Sequence, residues 1–296
     1  MTINTSFLHS LLILTTVVVS ANAADRPMVD GVSDSEINAL VNALWTKDSR
    51  VAVQLNLQGR TKYEDTQDRA TEPLMRPFAK STASSESFRS FRALFDNYVP
   101  QTGTAETYPN DEQREIDNFI NAVASSDILD KVRAFIAKKG FSQAKDMATF
   151  KQFVRQLWFT PYSRARGSLD TSAFEHVFIG EWKDGVSGLH NWYRFSQLET
   201  ANKIDYQGYR SDRKDKSYRP MFVRLRYVWS GQTKRDGSFF VGTTPEFEFS
   251  LFTLCFLTKP GKNACKFNIE SVPFSVTSYP LKFRGKTLIG TVYPSS

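Results

Sequence analysis

FEHVFIGEWKDGVSGLHNW, Phe174–Trp192, lies where the texture of the chain changes. Upstream, apolar residues recur at helical spacing. From about Ser168 onward, Phe, Val, Tyr and Thr alternate with polar residues in short runs broken by Gly, Pro and Asn. The fold class follows from that boundary. A helical N-terminal subdomain packs on a C-terminal antiparallel β subdomain, an α+β arrangement. The stretch also holds His176 and His190, fourteen residues apart, two of the three histidines in the chain.

Four helical segments precede it. SDSEINALVNALWTKD opens on a capping-box pattern, Ser33 and Glu36, and then places Ile37, Leu40, Val41, Leu44 and Trp45 on one face. SSESFRSFRALFDNYV carries a stripe of Phe88, Phe91, Leu94, Phe95 and Tyr98. DEQREIDNFINAVASSDILDKVRAFIAKKG opens acidic and ends in Lys138, Lys139 and Gly140, as a helix or helix pair does. DMATFKQFVRQLWF is the fourth. STASSES (residues 81–87) is the most linker-like segment. These stripes read as packing faces, not as cofactor-binding motifs.

Downstream, AFEHVFIGEW, RPMFVRLRYVW, GSFFVGTT, EFEFSLFTLCFLT, KFNIESVPFSVTSY and KTLIGTVY read as strands, and GLHNWYRFSQLETAN as a helix. On this reading Glu246 and Glu248 alternate along a strand and buttress the sheet. Cys255 and Cys265 flank a Pro-Gly turn, and in an oxidising compartment they would close a small disulfide loop worth about 2–4 kcal/mol. Two cysteines are too few for a thiolate zinc site.

The N-terminus bears on compartment. MTINTSFLHSLLILTTVVVSANA has an apolar run too short to span a bilayer, followed by Ala21-Asn22-Ala23, so residues 1–23 read as a cleaved secretory leader that removes His9. What remains divides into a mainly helical part, 24–165, and a mainly β part, 166–296. No later run is long and apolar enough for a membrane helix. The expectation is a secreted protein with no membrane partner. The formal charge of +7 stays with the mature chain, and its densest cationic cluster is RSDRKDKSYRPMFVRLR, Arg210–Arg226. That cluster is either a solvated loop leading into a strand or a phosphate-steering patch.

Two histidines near one another admit three readings. They can be packing residues. They can be metal ligands with Glu175 and Glu181. They can also be an acid–base pair, since histidine alone titrates unperturbed near pH 7. Two imidazoles and an ammonium suit cleavage of RNA through its own 2′-hydroxyl: one removes the proton, the other protonates the leaving 5′ oxygen, and a lysine meets the phosphorane charge. DNA lacks the hydroxyl. A serine protease is poorly supported, because no G-x-S-x-G is present.

At these residues the sequence resembles the EndoU (XendoU-like) endoribonucleases. SEINALVNALWTKD, ALFDNYVPQTGTAETYPNDEQREIDNFINAV, LWFTPYSR, FEHVFIGE, GLHNW, DYQGY and WSGQTKRDGSFFVGTTPEFEFSLFTLCF carry the likeness, in order, over nearly all of the mature chain. The resemblance implies His176, His190 and Lys234 as catalytic residues. By analogy with the distantly related nidovirus uridylate-specific enzymes, His190 is the base and His176 the acid. It implies Glu175 and Glu181 as supports of the pair, Ser238 as the residue that hydrogen-bonds uracil, and Tyr293 as the aromatic that packs on the base or supports the site. It further implies uridine-containing single-stranded RNA as substrate, 2′,3′-cyclic phosphate and 5′-hydroxyl ends as products, stimulation by Mn2+ with ligands unknown, and a monomer. SQLETANKIDY lacks the Glu-Gly pair common in that loop, and TTPEFE replaces the commoner Ser-Ser-Pro version. A secreted RNA-binding protein with the same fold and no turnover is the rival expectation.

Overall fold

Ser33 starts the first helix as its capping box predicts. Its hydroxyl accepts from the Glu36 amide at 3.2 Å, and the Glu36 carboxylate accepts from the Ser33 amide at 3.0 Å. A computed structural model describes residues 28–79, 83–164 and 167–295 of the chain. The leader read at 1–23 lies outside the described residues. Five helices come from the N-terminal half: α1 (Asp34–Lys47), α2 (Glu86–Ala93), α3 (Asn110–Ala124), α4 (Asp127–Lys138) and α5 (Met147–Phe159). Each buries an apolar face, with Ile37, Val41 and Leu44 of α1 and Phe88 and Phe91 of α2 among the most enclosed residues. But α2 ends at Ala93, so Leu94, Phe95 and Tyr98 of its expected stripe lie beyond the helix.

The C-terminal half contributes two short strands, β1 (Glu181–Trp182) and β2 (Val186–Ser187), then α6 (Trp192–Thr200) and two antiparallel three-stranded meanders. The first meander is β3 (Ile204–Lys214), β4 (Pro220–Trp229) and β5 (Gln232–Phe240). The second is β6 (Gly261–Ile269), β7 (Val272–Phe283) and β8 (Lys286–Ser295). Between them runs α7 (Pro245–Thr258), which packs on α1 to α4 and on β7 and β8. The basic cluster at Arg210–Arg226 is the β3–β4 hairpin and its flanking strands, not a loop followed by one strand. KFNIESVPFSVTSY likewise holds a turn, with Glu270 and Ser271 at positive φ joining β6 to β7.

Two segments predicted as strands are helical. EFEFSLFTLCFLT is α7, and nearly every side chain in it is buried. A helix enclosed on all sides shows no apolar stripe, so its run of Phe and Leu is indistinguishable by period from a core strand. The start signals were present: Thr244 caps the helix by accepting from the Phe247 amide, and Pro245 occupies its first turn. Glu246 and Glu248 therefore lie in a helical first turn and do not alternate on a strand. Glu248 is fully buried and accepts from the Thr243 hydroxyl at 2.6 Å and the Asn191 amide at 2.9 Å. Burial pushes its carboxyl up to about 8. AFEHVFIGEW is a single π-helical turn, Glu175–Ile179, leading through Gly180 into β1. π-turns are brief and have no sequence period of their own.

Cys255 of α7 and Cys265 of β6 form a disulfide, tying the central helix to the second meander. Among the described residues, no helix is long and apolar enough to cross a membrane.

Candidate active site

Gly188 brings the two histidines together. Its φ is +65°, and a Cβ placed there would stand 1.7 Å from the His176 carbonyl oxygen. That close approach lets the Leu189 amide donate to the His176 carbonyl at 3.0 Å and the His190 amide to the Val177 carbonyl at 2.7 Å. The π-turn and the strand of chain before α6 are thereby laced backbone to backbone. Asn191 then caps α6, accepting from the Arg194 amide at 2.8 Å, while its own amide reaches Glu248. His190 is thus pinned between a backbone pair and a helix start.

The two meanders close the site from the other side. Their seam is stitched by Ser238 of β5, whose hydroxyl donates to the Pro294 carbonyl of β8 at 2.7 Å. Here lies a cleft of about 740 Å³ lined by His176, His190, Lys234, Ser238, Thr291 and Tyr293, with Arg164, Arg224, Asp236 and Lys262 also on its wall. His176, His190, Lys234, Ser238 and Tyr293 therefore share one cavity, although they come from the π-turn, the α6 approach, β5 and β8.

Each histidine has a defined partner. His190 Nδ1 lies 2.9 Å from the Ser238 carbonyl. A carbonyl only accepts, so Nδ1 carries the proton and Nε2 carries the lone pair. Tyr293 stacks on this ring at 4.9 Å and 21°. Burial and the Lys234 charge hold the His190 pKa well below the usual imidazole range, which keeps the ring neutral. His176 Nε2 is 3.1 Å from the Thr291 hydroxyl, and Nδ1 faces Glu181 Oε1 at 3.4 Å, an electrostatic contact longer than an ordinary hydrogen bond. Burial lowers the His176 pKa, with the Arg164 charge adding to it, and Glu181 works the other way.

Glu181 is anchored by the Thr171 hydroxyl and by Arg164 at 3.5 Å. Its burial raises the carboxyl pKa, yet His176, Arg164 and Thr171 together hold it below the usual range. Glu175 behaves differently. It is buried, neither carboxylate oxygen makes a hydrogen bond, and burial with Glu181 and Glu106 nearby raises its pKa well above the carboxylate range. Of the two glutamates expected to support the pair, Glu181 faces an imidazole and Glu175 belongs to the interior behind it. Lys234 Nζ donates to the Gly188 carbonyl at 3.1 Å, which fastens the ammonium to the turn between the histidines. Burial pushes its pKa down to about 8, against the pull of Asp236 and Glu181.

Thr291 and Arg164 were not singled out from sequence. Thr291 had a signal, since it stands two residues before Tyr293 on a strand and so shares its face. Arg164 ends the LWFTPYSR block and meets Glu181 only through the fold. The carboxylates and imidazoles present do not compose a manganese site. Glu181 is occupied by His176, Thr171 and Arg164, Asp236 is paired bidentately with Arg224, and cations dominate the wall. Among the described residues no group of three or more His, Cys, Asp or Glu could hold a metal ion, so Glu175, His176, Glu181 and His190 do not form the ligand set considered above.

The family model for Endoribonuclease XendoU matches residues 36–294. A Xenopus laevis protein named uridylate-specific endoribonuclease C is 32% identical, covering 97% of this chain and 99% of its own. Uridylate-specific endoribonuclease B of Danio rerio is 34% identical over 88% of this chain and 96% of its own. The solved structure of XendoU, described as a splicing independent snoRNA processing endoribonuclease, superposes with a TM-score of 0.72 at 31% identity, covering 89% of this chain and 98% of that one.

Proposed function

The chain belongs to the XendoU endoribonuclease family, and from that premise we propose that it cleaves single-stranded RNA at uridine, leaving 2′,3′-cyclic phosphate and 5′-hydroxyl ends. The observation that carries the reading is the tautomer of His190. Its Nδ1 proton is committed to the Ser238 carbonyl, its ring is kept neutral, and its Nε2 lone pair is the base the reaction needs. In this mechanism Nε2 takes the 2′-hydroxyl proton as the 2′ oxygen bonds to phosphorus. The bond from phosphorus to the 5′ oxygen breaks, and His176 gives that oxygen a proton. Lys234 meets the charge gathering on the phosphorane oxygens. An arriving phosphate offsets the Lys234 and Arg164 charges and raises the proton affinity of His176, which suits it to the acid role.

A fluorogenic strand with one uridine tests the proposal. Cleavage is expected, and the same strand with 2′-deoxyuridine should stay intact. Binding of the uridine strand without cleavage, with manganese and with calcium, would establish the non-catalytic RNA-binding protein instead. No step above passes through a metal. Manganese stimulation belongs to this reading only as a cation held on the RNA.

Ser238 gives the uridine preference a chemical basis. Its hydroxyl proton is directed to the Pro294 carbonyl, so Oγ presents lone pairs to the cleft. Uracil offers N3–H as a donor, and cytosine offers an acceptor at that position. Ser238→Ala is expected to reduce discrimination of uridine over cytidine by about tenfold, the worth of one hydrogen bond and its unmet partner. Measured kcat/KM for paired strands checks it. An unchanged ratio removes Ser238 from base selection.

Glu181→Gln is expected to move the alkaline limb of the kcat/KM–pH profile to lower pH by roughly one unit, since an opposite charge at this range supports an imidazolium by about that much or more. The sign follows from Glu181 being the anion that helps His176 keep its proton. A limb that stays in place would show that His176 is not the group losing the proton.

Secretion and a monomeric state are part of the same proposal. The leader at residues 1–23 and the Cys255–Cys265 disulfide both suit an oxidising compartment. N-terminal sequencing of protein from culture medium should begin at Ala24, and light scattering should give one chain's mass.

A further inference from the structure

We propose that a second groove adjoining the cleft holds nucleotides flanking the cleaved uridine, so that the RNA strand is engaged over two connected troughs. This rests on the RNA-cleaving function proposed above. The groove has a volume of about 730 Å³, much the same as the cleft. Asn263 lines both cavities. Ser275, on the wall of the groove, pairs in register with Ser295, on the wall of the cleft, and its hydroxyl donates to the Ser295 carbonyl at 3.1 Å. The two troughs therefore share a rim made by β6, β7 and the end of β8.

The lining suits a single strand. Arg213 of β3 and Lys266 of β6 supply cations on opposite elements, and Lys262 supplies one at the cleft end. Lys262 and Lys266 are exposed, and Arg213 spends one guanidinium N–H on the Asp212 carbonyl at 3.0 Å, leaving the rest of the fork for phosphate. The carboxylate in the groove, Asp34, is countered by Lys259 at 2.9 Å. Phe267, Pro273 and Phe274 form an apolar floor, and Asn38, Asn268 and Ser275 offer polar edges. A cationic wall that tracks a backbone beside an apolar bed for bases is what sequence-tolerant single-strand binding needs. Arg213 also absorbs part of the cationic cluster at Arg210–Arg226, whose placement the catalytic residues leave unexplained.

The test pairs the double variant Arg213→Glu/Lys266→Glu with two substrates, a uridine-containing dinucleotide and a twelve-nucleotide strand with one uridine. For the long strand, kcat/KM is expected to fall by about tenfold or more, with the slope of log kcat/KM against log salt shallower by about 1.4, two lost phosphate contacts on single-stranded nucleic acid. Turnover of the dinucleotide should be unchanged. Equal losses on both substrates, or no loss on the long strand, would overturn the proposal. Arg213→Gln/Lys266→Gln, expected to show a smaller loss of the same kind, guards against a folding effect of charge reversal. If the native protein cleaves neither substrate, the proposed activity fails, and the groove is then read by fluorescence anisotropy of the twelve-nucleotide strand carrying 2′-deoxyuridine. Weaker binding by the double variant upholds the groove, and equal binding rejects it.

Discussion

Alanine at either His176 or His190 is expected to lower kcat by about 10³-fold, within the range that positioned acid–base groups contribute. The two losses should not add. Proton removal from the 2′-hydroxyl and proton delivery to the 5′ oxygen belong to one displacement, so the double variant should fall little below the worse single one. Single-turnover cleavage of the one-uridine strand measures both. Because both rings are buried, folding needs its own control. His190→Ala removes the stack on Tyr293 and the contact to the Ser238 carbonyl, so thermal melting and RNA binding should be recorded beside turnover. A variant that folds, binds the strand and has lost turnover supports the acid–base pair. Wild-type turnover in either single variant would refute it.

The helical half was legible because its helices lie at the surface, and a surface helix advertises one apolar stripe. Ser33 and Glu36 even announced the first turn. The second half was legible where strands alternate, as at Cys265–Ile269 of β6, whose residues are buried and exposed in turn. It failed at α7, where enclosure on all sides erased the stripe, and at Glu175–Ile179, a turn with no period. In both places a nearly unbroken apolar run has the composition of a core strand. Thr244 and Pro245 held the correcting signal for α7, but it was outweighed by the alternation of Glu246 and Glu248 with phenylalanines. The candidate site shows the same division. His176 and His190 stood out through rarity and context. That Gly188 must be glycine to let them pair, that Thr291 meets His176, and that Arg164 reaches Glu181 depend on contacts 12 to 115 residues apart in sequence. Spacing along a chain carries no record of such contacts. The unequal fates of Glu175 and Glu181 were equally hidden, since both flank the same histidine and only the fold decides which one faces it.

Lys234→Ala is expected to lower kcat by about 10²–10³-fold, the usual loss when one preorganised charge contact to a transition state is removed. The position of the ammonium argues for a role beyond packing. It is half-buried, it is tied to the Gly188 carbonyl at 3.1 Å, and that carbonyl belongs to the turn that sets His176 against His190. Burial also gives it a signature in pH. Its pKa is pushed down to about 8, so the free protein loses this charge within the working range. Below that value Lys234 is protonated and competent, and above it a second proton has been lost in addition to that of His176. The slope of log kcat/KM against pH should therefore steepen above about pH 8. Lys234→Arg, whose guanidinium stays charged throughout, should retain part of the rate and lose that second break. An alanine variant within tenfold of the native rate would remove Lys234 from the mechanism. A break that persists in the arginine variant would assign the second proton to another group.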